Sequence, residues 1–151
     1  MKHGYLTKVQ NLIGLLRVLC GTDAREIKRV RSVLKSFLES ENCILPLMQV
    51  LLGESEDTVR QEAGALLKKY MIYFITEFPP EQQVSLKKQL VERLLAEKVS
   101  SIAITIILII KSVCTSCEWP ELVLIIDQLV YNSCETRRKL GFTLLSEVRT
   151  F

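Results

Sequence analysis

Apolar residues recur along this chain at helical spacing, most clearly between Asp57 and Tyr70. Val59, Ala63, Leu66, Leu67 and Tyr70 share one face of a helical wheel, whereas Gln61, Gly64, Ala65 and Lys68 fall on the opposite side. Asp57 is the expected N-cap, because its carboxylate can accept from the Arg60 amide and suits the positive end of the helix. The same periodicity predicts further helices on either side. Leu6 to Cys20 carries Val9, Leu12, Ile13, Leu16 and Leu19 and ends before Gly21; Asp23 then caps a helix to about Glu39 with Ile27, Val30, Val33, Leu34, Phe37 and Leu38 on its apolar side. A third helix starts near Cys43, tolerates Pro46 in its first turn and stops at Gly53. The Asp57 helix is expected to reach Thr76. Pro79-Pro80 launches Glu81 to Lys98, Trp119-Pro120 restarts a helix to about Tyr131, and Cys134 or Glu135 begins the last.

Ser100 to Thr115 conflicts with this scheme on local propensity. Its Ile-Ala-Ile-Thr-Ile-Ile-Leu-Ile-Ile core is rich in β-branched residues and reads alone as a buried strand. Repeat phase decides for helix. Alternate helices aligned on a small residue place Val30, Ala63, Ala103 and Gly141 in register, 33, 40 and 38 residues apart. Val33-Leu34, Leu66-Leu67, Ile106-Ile107 and Leu144-Leu145 then become one repeated apolar pair. The fold expected is all-α, a solenoid of about four HEAT-like helical hairpins in a single unit over 1–151, with hairpins near 1–40, 43–77, 80–115 and 119–151. Tetratricopeptide repeats of similar length are the alternative, but their Trp, Gly and Tyr pattern is missing.

The register also predicts a surface. Opposite the apolar pair, successive second helices stack Lys28, Gln61, Ser101 and Lys139 in one row, Ser32, Ala65, Thr105 and Thr143 in the next, and Lys35, Lys68, Leu108 and Ser146 in the third. The middle row is uniformly small, which lets a partner approach closely while lysines meet its acidic groups.

Composition adds constraints. With 48% apolar and 25% charged residues among 151, the chain is that of a folded protein. Its mean hydropathy of +0.23 is high for a soluble one, consistent with extensive burial or with apolar surface covered by further sequence or partners. Residues 1–40 hold eight Lys or Arg against three acids, and residues 41–78 hold three against six, so the net charge of +3 conceals local patches. No signal-peptide pattern is visible, and five cysteines at irregular spacing read as reduced thiols of an intracellular protein. The longest apolar run, Ile102 to Ile110, falls far short of the ~20 residues of a membrane span. Phe151 closes the sequence inside a helix whose Phe142, Leu144, Leu145 and Val148 seek partners; this reads as a segment of a longer solenoid that self-associates or exposes an apolar patch.

At this point the residues resemble a known family. Asp57-Thr-Val-Arg-Gln-Glu-Ala-Gly-Ala-Leu-Leu-Lys-Lys is similar to the second repeat of importin-β (karyopherin-β) nuclear transport receptors, whose second helix there carries Val-Arg-Gln, a small pair, Leu and a basic pair. Phe37 followed by Leu45-Pro46-Leu47, the charged helix Gln82 to Glu97, and Trp119-Pro120-Glu121-Leu122 leading to Glu135-Thr136-Arg137-Arg138 resemble the start of the importin 4 and importin 5 branch. The chain departs from that pattern in being basic and in its more aliphatic third repeat. The resemblance implies N-terminal HEAT repeats of a receptor that shuttles between cytoplasm and nucleus. It implies that the GTP form of the small GTPase Ran sits on the concave second-helix side. It further implies that phenylalanine-glycine nucleoporins occupy outer grooves between first helices, and that cargo is basic, histones or ribosomal proteins. Combined with the rows, it nominates Lys28, Ser32, Lys35, Gln61, Ala65, Lys68, Lys69, Ser101 and Thr105 as the Ran surface. A HEAT scaffold of the phosphatase or vesicle-coat type, without Ran binding, is the competing reading.

Other chemistry finds little footing. Cys114-Thr-Ser-Cys117 has half the ligands of a structural zinc site and no second pair at suitable spacing, and no βαβ context for redox work. His3 is the only histidine, there is no Gly-rich phosphate loop, and acids are placed as caps and solvent faces. Neither enzyme, metal nor cofactor is expected. Trp119 is expected to pack on the preceding hairpin rather than to stack on a ligand. Basic residues near the N-terminus lack the aromatic interleaving of single-strand RNA binders.

Overall fold

A computed structural model of the chain describes residues 2–53 and 55–148, with side chains from Lys8 onward. It is all-helical: α1 (Lys2–Leu19), α2 (Ala24–Phe37), α3 (Ile44–Leu52), α4 (Asp57–Phe74), α5 (Pro80–Ala96), α6 (Ser100–Ser116), α7 (Pro120–Val130) and α8 (Glu135–Val148), with short 3-10 turns before α3 and after α4. The side chain of His3 and the terminal Phe151 lie outside the described residues. Local chemistry accounts for the boundaries. Asp23 accepts from the amides of Arg25 and Glu26 at 3.1 and 3.3 Å, opening α2. Pro80 and Pro120 stand at the first positions of α5 and α7, where no amide is needed.

Consecutive helices pair, α1 with α2, α3 with α4, α5 with α6 and α7 with α8, while α4 packs along α6 and α6 against α8. Three hydrogen bonds joining α4 to α6 all span 44 residues, so the two helices run parallel: Gln61 Nε2 donates to Thr105 Oγ1, Ser112 Oγ to the Lys68 carbonyl and Ser116 Oγ to the Ile72 carbonyl. Because α4, α5 and α8 all pack against it, α6 buries Ile102, Ile106, Ile107, Ile109, Ile110 and Val113. Tertiary burial therefore overrides the strand preference of its β-branched residues. Leu34, Leu67, Ile106, Ile107 and Leu144 of the repeated pair are buried, whereas Val33 and Leu145 are 48% and 37% exposed. The helices present that pair to the core at different rotations.

Two helix-face expectations give way. Glu56, not Asp57, occupies the N-cap position of α4, with no side-chain cap; its carbonyl accepts the Arg60 amide at 2.9 Å and its carboxylate pairs with Arg17 at 2.6 Å. Asp57 is the first helical residue, 3.6 Å from the Arg60 guanidinium. Gly64 is buried rather than facing solvent, because α3 and α6 cover adjoining sides of α4. A Cβ there would stand 2.7 Å from Thr105 Cγ2 and 3.4 Å from Leu51 Cδ1, so glycine sets the closeness of α4 and α6.

Candidate functional site

Two surfaces are candidate binding sites, the exposed row along α4 and α6 and a groove between α5 and α7. On the first, Ala65, Lys68, Lys69 and Ser101 are exposed, as expected of a contact row. Thr105 is not: it is 7% exposed, accepts from Gln61 Nε2 at 2.7 Å and donates to the Ser101 carbonyl at 3.0 Å. Its place in the row is corrected to a seam position, because α6 is rotated so that Thr105 points at Gly64. Gln61 is half-buried in the same seam. Lys28, Ser32 and Lys35 are exposed on α2, but α2 does not stack on α4; α1 packs against both α3 and α4, and α2 packs on α1. Three of the nine nominated residues therefore sit apart from the rest.

The second surface is a groove of about 470 Å³ lined by Val84, Lys87, Lys88, Val91 and Glu92 of α5 and by Glu118, Trp119, Pro120, Glu121 and Ile125 at the start of α7. Trp119, 9% exposed, joins the core and also lines the groove, so the expected packing role holds and a wall of the groove comes with it. Lys87 stands over the indole, 5.7 Å from its centroid, and donates to the Glu118 carbonyl at 2.8 Å. Lys88 and Glu92 approach to 3.9 Å on the rim. With Val84 63% exposed at its mouth, the groove is apolar inside and of mixed charge outside, fit for an aromatic or aliphatic side chain of an extended peptide.

Sequence reasoning overlooked an ion cluster below these surfaces. Arg60 is 4% exposed; its Nε donates to the Leu51 carbonyl at 2.9 Å and both Nη atoms reach Glu97, whose side chain is 1% exposed. Arg93 Nε donates to the same carboxylate at 2.9 Å and the Val99 amide at 3.2 Å. Burial alone raises the Glu97 pKa, but Arg60, Arg93 and the Val99 amide outweigh it and hold the carboxyl at about 2. The signal in the sequence was Arg60 itself, standing one residue after Val59 on the apolar side of the wheel.

Cys114 and Cys117 are half-buried free thiols, and the described residues contain no group of His, Cys, Asp and Glu placed to hold a metal. No described helix is long and apolar enough to cross a membrane. No protein-family model matches the chain, and no curated protein matches it significantly.

Proposed function

We propose that this chain is a HEAT-type α-solenoid segment that works by binding other proteins, as the N-terminal part of a nuclear import receptor moving between cytoplasm and nucleus. The groove between α5 and α7 carries the reading: it lies between the first helices of successive hairpins and suits the phenylalanine of a phenylalanine-glycine nucleoporin. The GTP form of Ran is assigned to the exposed part of the row, Ala65, Lys68, Lys69 and Ser101. Basic cargo, histones or ribosomal proteins, is the passenger. Parallel packing of α4 on α6, with the short side chains of Ala65 and Ser101 exposed along them, supports a surface that another protein can approach closely.

Trp119 is the only tryptophan and lines the groove, so its fluorescence reports occupancy directly. Titration with a phenylalanine-glycine repeat peptide should shift its emission, and a serine-glycine peptide should leave it unchanged. Retention on immobilised Ran should be stronger with bound GTP than with GDP and should fall for Ala65→Trp. Equal retention of both nucleotide forms, together with a silent Trp119, refutes the transport reading.

A further inference from the structure

Helix α2 carries a charge pattern that the proposed function leaves unused. Arg25, Lys28, Arg31, Ser32 and Lys35 are all exposed and, at 100° per residue, fall on an arc of about 120°. Val30 and Leu34 on the other side are buried and fix the orientation of that arc. Arg25, Lys28, Arg31 and Lys35 have no acidic partner among the described residues. The acids of this segment are otherwise engaged or lie at its ends: Asp23 caps the helix, Glu26 pairs with Arg29 at 2.9 Å, and Glu39 follows the last turn. Since α2 rests on α1 at the edge of the helix array and does not stack on α4, its cationic side faces outward.

We propose that this face of α2 binds the phosphate backbone of a nucleic-acid duplex. Lys28 and Lys35 stand about 10 Å apart along the helix with Arg31 and Ser32 between them, a rail that can follow successive phosphates. Three absences on the arc select this partner. It has no aromatic ring on which unpaired bases could stack. It has no large apolar anchor of the kind that concentrates affinity in protein interfaces; Val33 lies on its flank. Nor does it offer an apolar edge to enter a lipid surface, because Val30 and Leu34 are committed to the core. Binding through phosphates alone needs none of these, and it reads helical shape rather than sequence.

Anisotropy of labelled duplex RNA and duplex DNA, each of mixed sequence, measures this on the whole chain. With three to four phosphates neutralised, the logarithm of affinity should fall with the logarithm of salt at a slope of about −3, a loss of about 60-fold between 50 and 200 mM. Comparing the two duplexes identifies which backbone is preferred. Lys28→Glu with Lys35→Glu, both exposed and free of core contacts, should abolish binding with helicity unchanged, whereas Lys68→Glu with Lys69→Glu on α4 should not. A slope near zero, undiminished binding by the α2 variant, or tighter binding to phosphatidylserine vesicles or polyglutamate than to either duplex overturns the proposal.

Discussion

Replacing Glu97 by Gln isolates the buried ion cluster and gives it a magnitude. In the folded chain the carboxyl sits at about 2 against an ordinary 4.5. At ~1.4 kcal/mol per pKa unit this difference corresponds to at most about 3 kcal/mol of stability, and the 1% exposure of the side chain means that water screens little of it. A depressed pKa contributes stability that is complete above about pH 4.5 and disappears as the pH falls through 2. Urea unfolding followed by circular dichroism should therefore place Glu97→Gln below the parent by between ~1 and at most ~3 kcal/mol at neutral pH, with the gap closing as the pH is lowered toward 2. Arg60→Met should cost as much or more, since it leaves the carboxylate buried beside a single cation and removes the donor to the Leu51 carbonyl. Replacing both partners, Arg60→Met with Glu97→Leu, should recover much of the loss, because Arg93 is 31% exposed and can turn to water. A deficit in Glu97→Gln that is the same at pH 7 and near pH 2.5, or smaller than ~1 kcal/mol at pH 7, refutes the reasoning.

Three further outcomes test the packing and the thiols. Gly64→Ala should destabilise by about 1–2 kcal/mol despite the better helix propensity of alanine, and adding Thr105→Ser, which removes the Cγ2 methyl but keeps the hydroxyl, should restore or exceed parental stability in thermal melts. Gly141→Ala should cost about 2–3 kcal/mol with no comparable side-chain rescue, because its Cβ would lie 2.8 Å from both Leu129 Cβ and the Val130 backbone nitrogen. Maleimide labelling below pH 8, read by mass spectrometry of peptides, should modify Cys134 first, since the amides of Arg137 and Thr136 lower its pKa and it is exposed. Cys43, buried and pushed up to about 11 by desolvation, should react only on unfolding.

Helix positions were largely legible because caps, prolines and apolar spacing agree locally: Asp23, Pro80 and Pro120 mark starts that the structure reproduces within a residue or two. Rotation of each helix was less legible. A wheel assumes one buried face, and α4 has two, toward α3 and α6, which is why Gly64 and Arg60 moved inward. The first hairpin escaped the register for a related reason: aligning Val30 with Ala63 fixes spacing along the chain and says nothing about whether α1 or α2 meets α4 in space. Trp119 was readable as a packing residue, but the groove beside it requires the separation of α5 from α7, which no local pattern encodes.

The hydroxyls that join α6 to α4 differ from the ion cluster in one respect that bears on how the array moves. Ser112 and Ser116 each have two acceptors within reach, the α4 carbonyls of Lys68 and Ile72 and the carbonyls of Leu108 and Ser112 one turn back in their own helix. Should the C-terminal halves of α4 and α6 part, each hydroxyl keeps a partner, so opening there strands no polar group. At the N-terminal ends the Arg60–Glu97 pair is buried, and parting it would leave Arg60 with the Leu51 carbonyl and the exposed Asp57, and Glu97 with Arg93 and the Val99 amide alone. The α4–α6 seam thus has a buried charge pair beside one end and replaceable hydroxyl contacts at the other, so separating the two helices costs least at their C-terminal ends.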